Sequence, residues 1–253
     1  MFDSTIILPT MEGKHRYLEL FFESLNDSSK YNHEILVWCN GCDYKTYNVA
    51  KEGATKVFGS SANIGQSIPY NFLVKESSTN LLFFADDDFY FLPNWDFPVS
   101  RQAPQFFWMN PMLIESGRPT RSIVDNFGNV ENFDKDSLLN KYQDYFYPTI
   151  HYGGFMPAFV SKKDYWEIGG YNEDFFIGEA DFLYRAYLYY KRNNYIPTTC
   201  PNSLIYHFRD SGRPVGFREK QLKMFKYMED KYKKSIDEID AEVPWFEVIG
   251  DVL

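Results

Sequence analysis

Three consecutive carboxylates, Asp86-Asp87-Asp88, follow directly on the apolar run Leu81-Leu82-Phe83-Phe84. Charges of one sign at that spacing repel, and the cluster is costly unless a cation or solvent compensates it. If the apolar run is a strand, alternation sends Asp86 and Asp88 to one side and Asp87 to the other. Such a pair suits a hard divalent ion, Mn2+ or Mg2+, held by few protein oxygens and completed by phosphate oxygens. His207 ends the run Leu204-Ile205-Tyr206 and offers an imidazole nitrogen as a third ligand. Phe208-Arg209-Asp210 follows it, and Arg209 or Arg213 is placed to steady a diphosphate. Gly178-Glu179-Ala180-Asp181 puts two carboxylates in the first turn of a helical pattern, where the macrodipole keeps them ionised. An ionised carboxylate there can take the proton of an attacking hydroxyl. Each feature also has a plainer reading: an acidic turn, a helix-start charge, a structural histidine.

The elements around these residues alternate between strand and helix. Thr5-Ile6-Ile7-Leu8, ended by Pro9, reads as a buried strand, and Leu18, Phe21, Phe22 and Leu25 mark one face of a helix. Residues 34–38 form a second strand that ends at Asn40-Gly41, followed by a polar helix and a short strand at 56–58. Residues 67–76 read as a helix entered through Asn63-Ile64-Gly65, and 81–84 as the fourth strand. This order implies βαβ units and a parallel sheet, with the ligand beyond the carboxyl ends of its strands. Pro9-Thr10, Asn40 and the three Asp all fall at such ends. Further on, 106–109 reads as a strand and 164–168 as a short helix stopped by Gly169-Gly170. Phe182, Leu183, Ala186, Tyr187 and Tyr190 mark a longer helix, and 204–206 a strand. The tail reads as a helix with Leu222, Phe225, Tyr232 and Ile236 on one face.

The chain has 253 residues with 24 Phe and 20 Tyr, enough for one large α/β domain with a sizeable core. A net charge of −9 argues against a nucleic-acid partner. It does not exclude a nucleotide, because a metal ion and backbone N–H groups neutralise phosphate locally. No apolar run approaches the length of a membrane span, and residues 1–9 lack the basic start of a signal peptide. The expectation is a cytoplasmic protein, with room for peripheral membrane contact. Cys39 and Cys42 form a C-x-x-C, but zinc would need two more ligands, which Cys200 and the histidines supply poorly. A thioredoxin-like pair should open a helix, and Asp43-Tyr44-Lys45 reads against one.

Taken in order, these motifs resemble an inverting family 2 glycosyltransferase of the GT-A fold. Ile6-Ile7-Leu8-Pro9-Thr10 is similar to that family's opening strand and Pro-Thr turn, and Asn40-Gly41-Cys42-Asp43 to its Asn-Gly-Ser-x-Asp loop, one residue short. Asn63-Ile64-Gly65 with Asn71 resembles the Asn-x-Gly and Arg-Asn loop. Asp86-Asp87-Asp88, with Pro93 and Trp95 beyond, resembles the D-x-D metal motif. Gly169-Gly170-Tyr171-Asn172-Glu173 and Gly178-Glu179-Ala180-Asp181 with Arg185 resemble the segments before and around the catalytic base. The resemblance covers about residues 4–210, and its specificity lies in the order of the motifs rather than in any one of them.

The resemblance implies a Rossmann-like, mostly parallel central sheet flanked by helices, with a C-terminal helical tail. It implies a nucleotide-sugar-binding half at 1–100 and an acceptor-binding, catalytic half at 101–215, the tail taking 216–253. Asp88 would bind the metal with Asp86 as helper, and Asp86 or Asp87 would meet the ribose. Pro9, Thr10, Glu12, Asn40, Asn63 and Gly65 would line the nucleotide pocket. Aligning on Arg185 makes Glu179 the base, with Asp181 the alternative. The donor would be a nucleotide-sugar, a UDP-sugar by the family's habit, and the acceptor a glycan or glycoconjugate. Two departures stand out: the acidic residue that reads uracil near Cys39 is absent, and Tyr70 replaces the Arg before the family's Asn. A non-catalytic nucleotide- or glycan-binding protein of the same fold is the main alternative. A nucleotidyltransferase would need a Gly-rich loop where Pro9-Thr10-Met11-Glu12-Gly13 stands.

Overall fold

A computed structural model of the chain describes residues 1–101, 106–115, 122–146, 151–209 and 216–243. Asp210 and Arg213 lie outside the described residues. The first half is a run of βα units: β1 (Ser4–Thr10), α1 (His15–Ser28), β2 (His33–Asn40), α2 (Tyr44–Gly53), β3 (Lys56–Ser60), α3 (Ser67–Glu76) and β4 (Leu81–Phe84). These four strands pair in parallel in the order β3-β2-β1-β4. Ile7 of β1 sits between Leu36 and Phe84, and all three are buried.

Why β4 is apolar throughout follows from its position. Leu82 and Phe84 point into the core shared with α3, while Leu81 and Phe83 point into the core shared with α1 and Ala50 of α2. A strand covered on both faces has no polar face to show, so the run reads as continuous rather than alternating. Trp95, beyond β4, belongs to this same packing, stacked near Phe159 and against Phe83 and Phe91.

The second half adds antiparallel strands to the mostly parallel sheet. It contains β5 (Phe89–Phe91), β6 (Trp108–Glu115), β7 (Ser122–Val124), α4 (Lys135–Lys141), β8 (His151–Tyr152), β9 (Ala158–Ser161), α5 (Lys162–Ile168), α6 (Glu179–Arg192) and β10 (Thr198–His207). The sheet continues β4-β9-β6-β10-β5, with β9 antiparallel to both β4 and β6, and β10 parallel to β6. Two reversals cancel, so β6 and β10 run the same way as β1, β2 and β4. The carboxyl ends of all five strands therefore lie along one edge. That edge carries Thr10, Asn40, Asp86 to Asp88, Glu115 and His207.

The tail divides into two helices, α7 (Phe217–Tyr232) and α8 (Ile236–Glu242). The break falls at Lys233, whose φ of 55° is left-handed, and Ser235 with Glu238 forms a capping box that starts α8. Met224, Phe225 and Met228 of α7 pack into the core around α6. Leu222, expected on the inner face, is exposed. Among the described residues no helix is long and apolar enough to cross a membrane.

Candidate active site

At the carboxyl edge of the sheet the chain leaves a cleft of about 340 Å3, within the usual size of a small-molecule site. Pro9, Thr10, Asn40, Asn63, Gly65, Asp86, Asp87, Asp88 and His207 all line it. Met11, Lys14, Gln66, Phe176, Ile177, Arg209 and Phe217 complete the wall. Glu12 is exposed and is not among the lining residues, and neither Glu179 nor Asp181 is.

The acidic triplet lies in the turn between β4 and β5 rather than in a strand, and its side chains divide there. Asp86 and Asp88 approach His207, and one ligand atom from each of the three lies within 4.8 Å of the others. Asp87 turns the other way, accepting a hydrogen bond from Thr10 Oγ1 at 2.8 Å with Lys14 Nζ at 3.8 Å. Lys14 is itself buried over the Tyr17 ring, so its ammonium is held against Asp87 rather than solvated. His207 Nε2 is 3.3 Å from Asp88 Oδ1, and His207 Nδ1 donates to Glu115 Oε2 at 2.8 Å. The local ladder fixes this: Phe89 pairs with His207, and Phe208 N–H donates to the Asp88 carbonyl at 3.1 Å.

The electrostatics follow from crowding. Asp86 faces into the cleft, but its enclosed position, with the Asp88 charge beside it, pushes its pKa up to about 6. Burial raises Asp87 to about 7 against the opposing pull of Lys14. Burial alone would lower His207, yet Asp88 and Glu115 outweigh it and hold the imidazole at about 10. A cluster that raises the proton affinity of Asp86, Asp87 and His207 draws positive charge to itself, and a divalent cation is one form that charge can take. Two carboxylate oxygens and one imidazole nitrogen fit a hard to intermediate ion such as Mn2+ or Mg2+.

The opposite wall is built by one amide. Asn40 donates from Nδ2 to the Gly65 carbonyl at 2.7 Å and to Asn63 Oδ1 at 3.0 Å, and its Oδ1 accepts from Ile64 N–H at 2.8 Å. Asn40 thus moulds the 63–65 loop as well as lining the cleft. Gly65 has φ +89°, and a Cβ there would stand 2.4 Å from the Phe176 carbonyl oxygen. Gly65→Ala should therefore displace Phe176 from the cleft wall and cost about 2 kcal/mol through a forced left-handed backbone. Nucleotide affinity reads the first effect and chemical denaturation the second; a variant unchanged in both would disprove the tight contact.

Asp43, which reads as interrupting a helix after Cys42, in fact caps α2 and accepts from Thr46 N–H at 3.0 Å. The Cys42 thiol points at the Thr10 carbonyl, 3.6 Å away.

Glu179 and Asp181 open α6 but have different surroundings. Asp181 has no exposed surface, accepts from Arg185 Nε at 2.8 Å and Tyr232 OH at 3.2 Å, and has Lys231 at 3.6 Å. Arg185 also donates to the carbonyls of Ile168 and Gly170, so this ion pair ties α5, α6 and α7 together. Asp181→Ala would leave the Arg185 guanidinium without its counter-charge. A loss of about 3 kcal/mol in a urea melt is expected, and a melt matching wild type would contradict this structural role. Glu179 is half-buried, two residues past the cleft-lining Ile177. Its charge is felt by Tyr70, whose hydroxyl is pushed well above its ordinary pKa by burial, then by Asp86 and Glu179. The charges of Glu179 and Asp86 thus both act on one buried phenol. Asn71, beside Tyr70, is spent on structure: its Oδ1 accepts from Tyr171 N–H at 2.9 Å and its Nδ2 donates to Tyr171 O at 2.8 Å.

Residues that sequence reasoning did not mark are Lys14, Glu115, Gln66 and the aromatic wall of Phe176 and Phe217. Lys14 and Glu115 carry no motif; only the sheet order brings them to the triplet.

No protein-family model matches this sequence, and no curated protein matches it. Solved structures do. TarS residues 1–349 from S. aureus superpose with a TM-score of 0.58 at 10% identity, covering 94% of this chain and 74% of that one. The mannosyltransferase PcManGT from Pyrobaculum calidifontis, in complex with GDP-Man and Mn2+, gives 0.61 at 11% identity, covering 92% and 65%. GalNAc-T7 with UDP, GalNAc and Mn2+ gives 0.63 at 15% identity, covering 96% of this chain and 51% of that one. These are glycosyltransferases of the GT-A type, and the present chain has their fold. At these identities the likeness shows the fold alone.

Proposed function

We propose that this chain is a metal-dependent glycosyltransferase of the family 2 type. It would transfer a sugar, with inversion, from a nucleotide-diphosphate sugar to a hydroxyl of a glycan or glycoconjugate. The observation that carries the reading is the convergence of Asp86, Asp88 and His207 at a cleft whose other wall is the Asn40-moulded loop. Two neighbours of the same fold were solved with Mn2+ together with GDP-Man in one and with UDP and GalNAc in the other, which supports a nucleotide-sugar as the ligand class. UDP is our choice of nucleotide.

Asp88, Asp86 and His207 would hold the cation. Bound there, Mn2+ would supply positive charge against the diphosphate leaving group. The remaining work falls to the chain. Pro9, Thr10, Asn40, Asn63 and Gly65 would enclose the nucleoside, and Asp87, steadied by Thr10 and Lys14, would accept from the ribose. Arg209, on the cleft wall, would meet the phosphates. Glu179 would take the proton of the acceptor hydroxyl as its oxygen bonds to the anomeric carbon and the bond to phosphate breaks. Attack from the face opposite the leaving group inverts the centre. Holding both substrates in line removes much of the entropic barrier.

A panel of nucleotide-sugars with Mn2+ tests the reading, because such an enzyme slowly transfers the sugar to water and releases free nucleotide. Binding without release across the panel would favour the non-catalytic alternative. Absence of both binding and release would dismiss the assignment.

A further inference from the structure

Behind His207 stands a carboxylate that no motif announces. Glu115 closes β6 and is the direct ladder partner of His207 on β10. Its Oε2 accepts the Nδ1–H of His207 at 2.8 Å, which leaves Nε2 turned toward Asp88 Oδ1 at 3.3 Å. Its Oε1 lies 3.7 Å from the guanidinium of Arg209. Glu115 is 7% exposed, so both oxygens face protein cations rather than water. Arg209 has φ +56°, a left-handed conformation that a non-glycine residue keeps only when its surroundings impose it. It also lines the cleft.

We propose that Glu115 is a positioning residue that serves two groups at once: it fixes the His207 ring with Nε2 presented to the cation site, and it holds Arg209 at the cleft wall where a diphosphate would lie. This rests on the metal and nucleotide reading above. Glu115 itself touches neither ligand. A neutral imidazole has one donor nitrogen and one acceptor nitrogen, and a carboxylate on Nδ1–H makes Nε2 the acceptor and raises its basicity. With that carboxylate removed, the ring is free to turn or to exchange its proton between nitrogens. Arg209 then loses a counter-charge in the same step. Sharing one carboxylate between the two couples the metal ligand to the phosphate-facing cation.

The test titrates Mn2+ into wild type, Glu115→Ala and Glu115→Gln without nucleotide, following free Mn2+ by electron paramagnetic resonance. Binding of UDP at saturating Mn2+ is then measured by calorimetry. Glu115→Ala should weaken Mn2+ about 10- to 100-fold, the usual effect of deleting such a partner. In Glu115→Gln the amide oxygen still accepts from Nδ1–H, so Mn2+ affinity should return to within about fivefold of wild type. The uncharged amide no longer pairs with Arg209, so UDP should remain weakened several-fold. If Glu115→Ala does not fold, this division in the Gln variant carries the test. A folded Glu115→Ala that melts lower but keeps wild-type affinity for Mn2+ and UDP would overturn the inference, as would a Gln variant unchanged in both. Asp88→Ala is run beside them. If it too keeps wild-type Mn2+ affinity, the cation site itself is misassigned; if it alone loses Mn2+, only the role of Glu115 falls.

Discussion

Asp88→Ala should abolish Mn2+-dependent UDP binding and cut turnover of the donor by about 1,000-fold, equivalent to about 4 kcal/mol at the transition state. Asp88 is 1% exposed and presents Oδ1 to His207, so no water readily substitutes for it. Its backbone carbonyl keeps the Phe208 N–H in the variant, so the ladder that carries the cluster survives. Asp86 and His207 remain, but two ligands seldom retain a hard divalent ion against solvent. Isothermal titration with Mn2+ and UDP, with a thermal melt as the folding control, measures the effect. A folded variant with wild-type nucleotide affinity would remove the metal from the account.

Glu179→Gln should behave in the opposite way, with UDP and Mn2+ binding within about twofold of wild type and sugar transfer reduced about 100- to 10,000-fold. The amide fills the same space at the start of α6 but cannot accept a proton. The assignment favours Glu179 over Asp181 on geometry. Asp181 is fully buried and occupied by Arg185, Tyr232 and Lys231, whereas Glu179 is only half-buried and its charge, like that of Asp86, acts on the Tyr70 hydroxyl. Steady-state transfer to any accepted hydroxyl, water included, reads the effect. Unchanged transfer by the Gln variant would return the role to Asp181.

What could be read from the chain alone was whatever a short stretch determines. The apolar run before Asp86 announces a strand buried on both faces, and Gly169-Gly170 announces the end of α5, where Gly169 has φ +100°. Alternation predicts the division of Asp86 and Asp88 from Asp87, but the triplet sits in the turn after β4, where Thr10 and Lys14 hold Asp87 apart. Partners that depend on sheet order were illegible. Nothing local says that β9 runs antiparallel, and it is that reversal which sets β6 parallel to β4 and brings Glu115 to His207. Residues 106–109 read as a short strand; β6 instead begins at Trp108 and runs through to Glu115, with Pro111 paired beside an irregular stretch of β10. Lys14 was hidden for another reason. A lysine before a helix reads as solvated, and only the fold buries it against Asp87. Glu12, by contrast, has its place in the resemblance but is exposed outside the cleft, because the turn after β1 carries it away from the lining.

Diffraction from crystals soaked with Mn2+ and UDP, recorded at the manganese absorption edge, bears most directly on the central claim. The account predicts one strong anomalous peak in bonding contact with Asp86, Asp88 and His207, with the diphosphate against it and the nucleoside between Thr10 and the 63–65 loop. A nucleotide bound elsewhere, or a cleft containing UDP with no manganese at those three side chains, would contradict it.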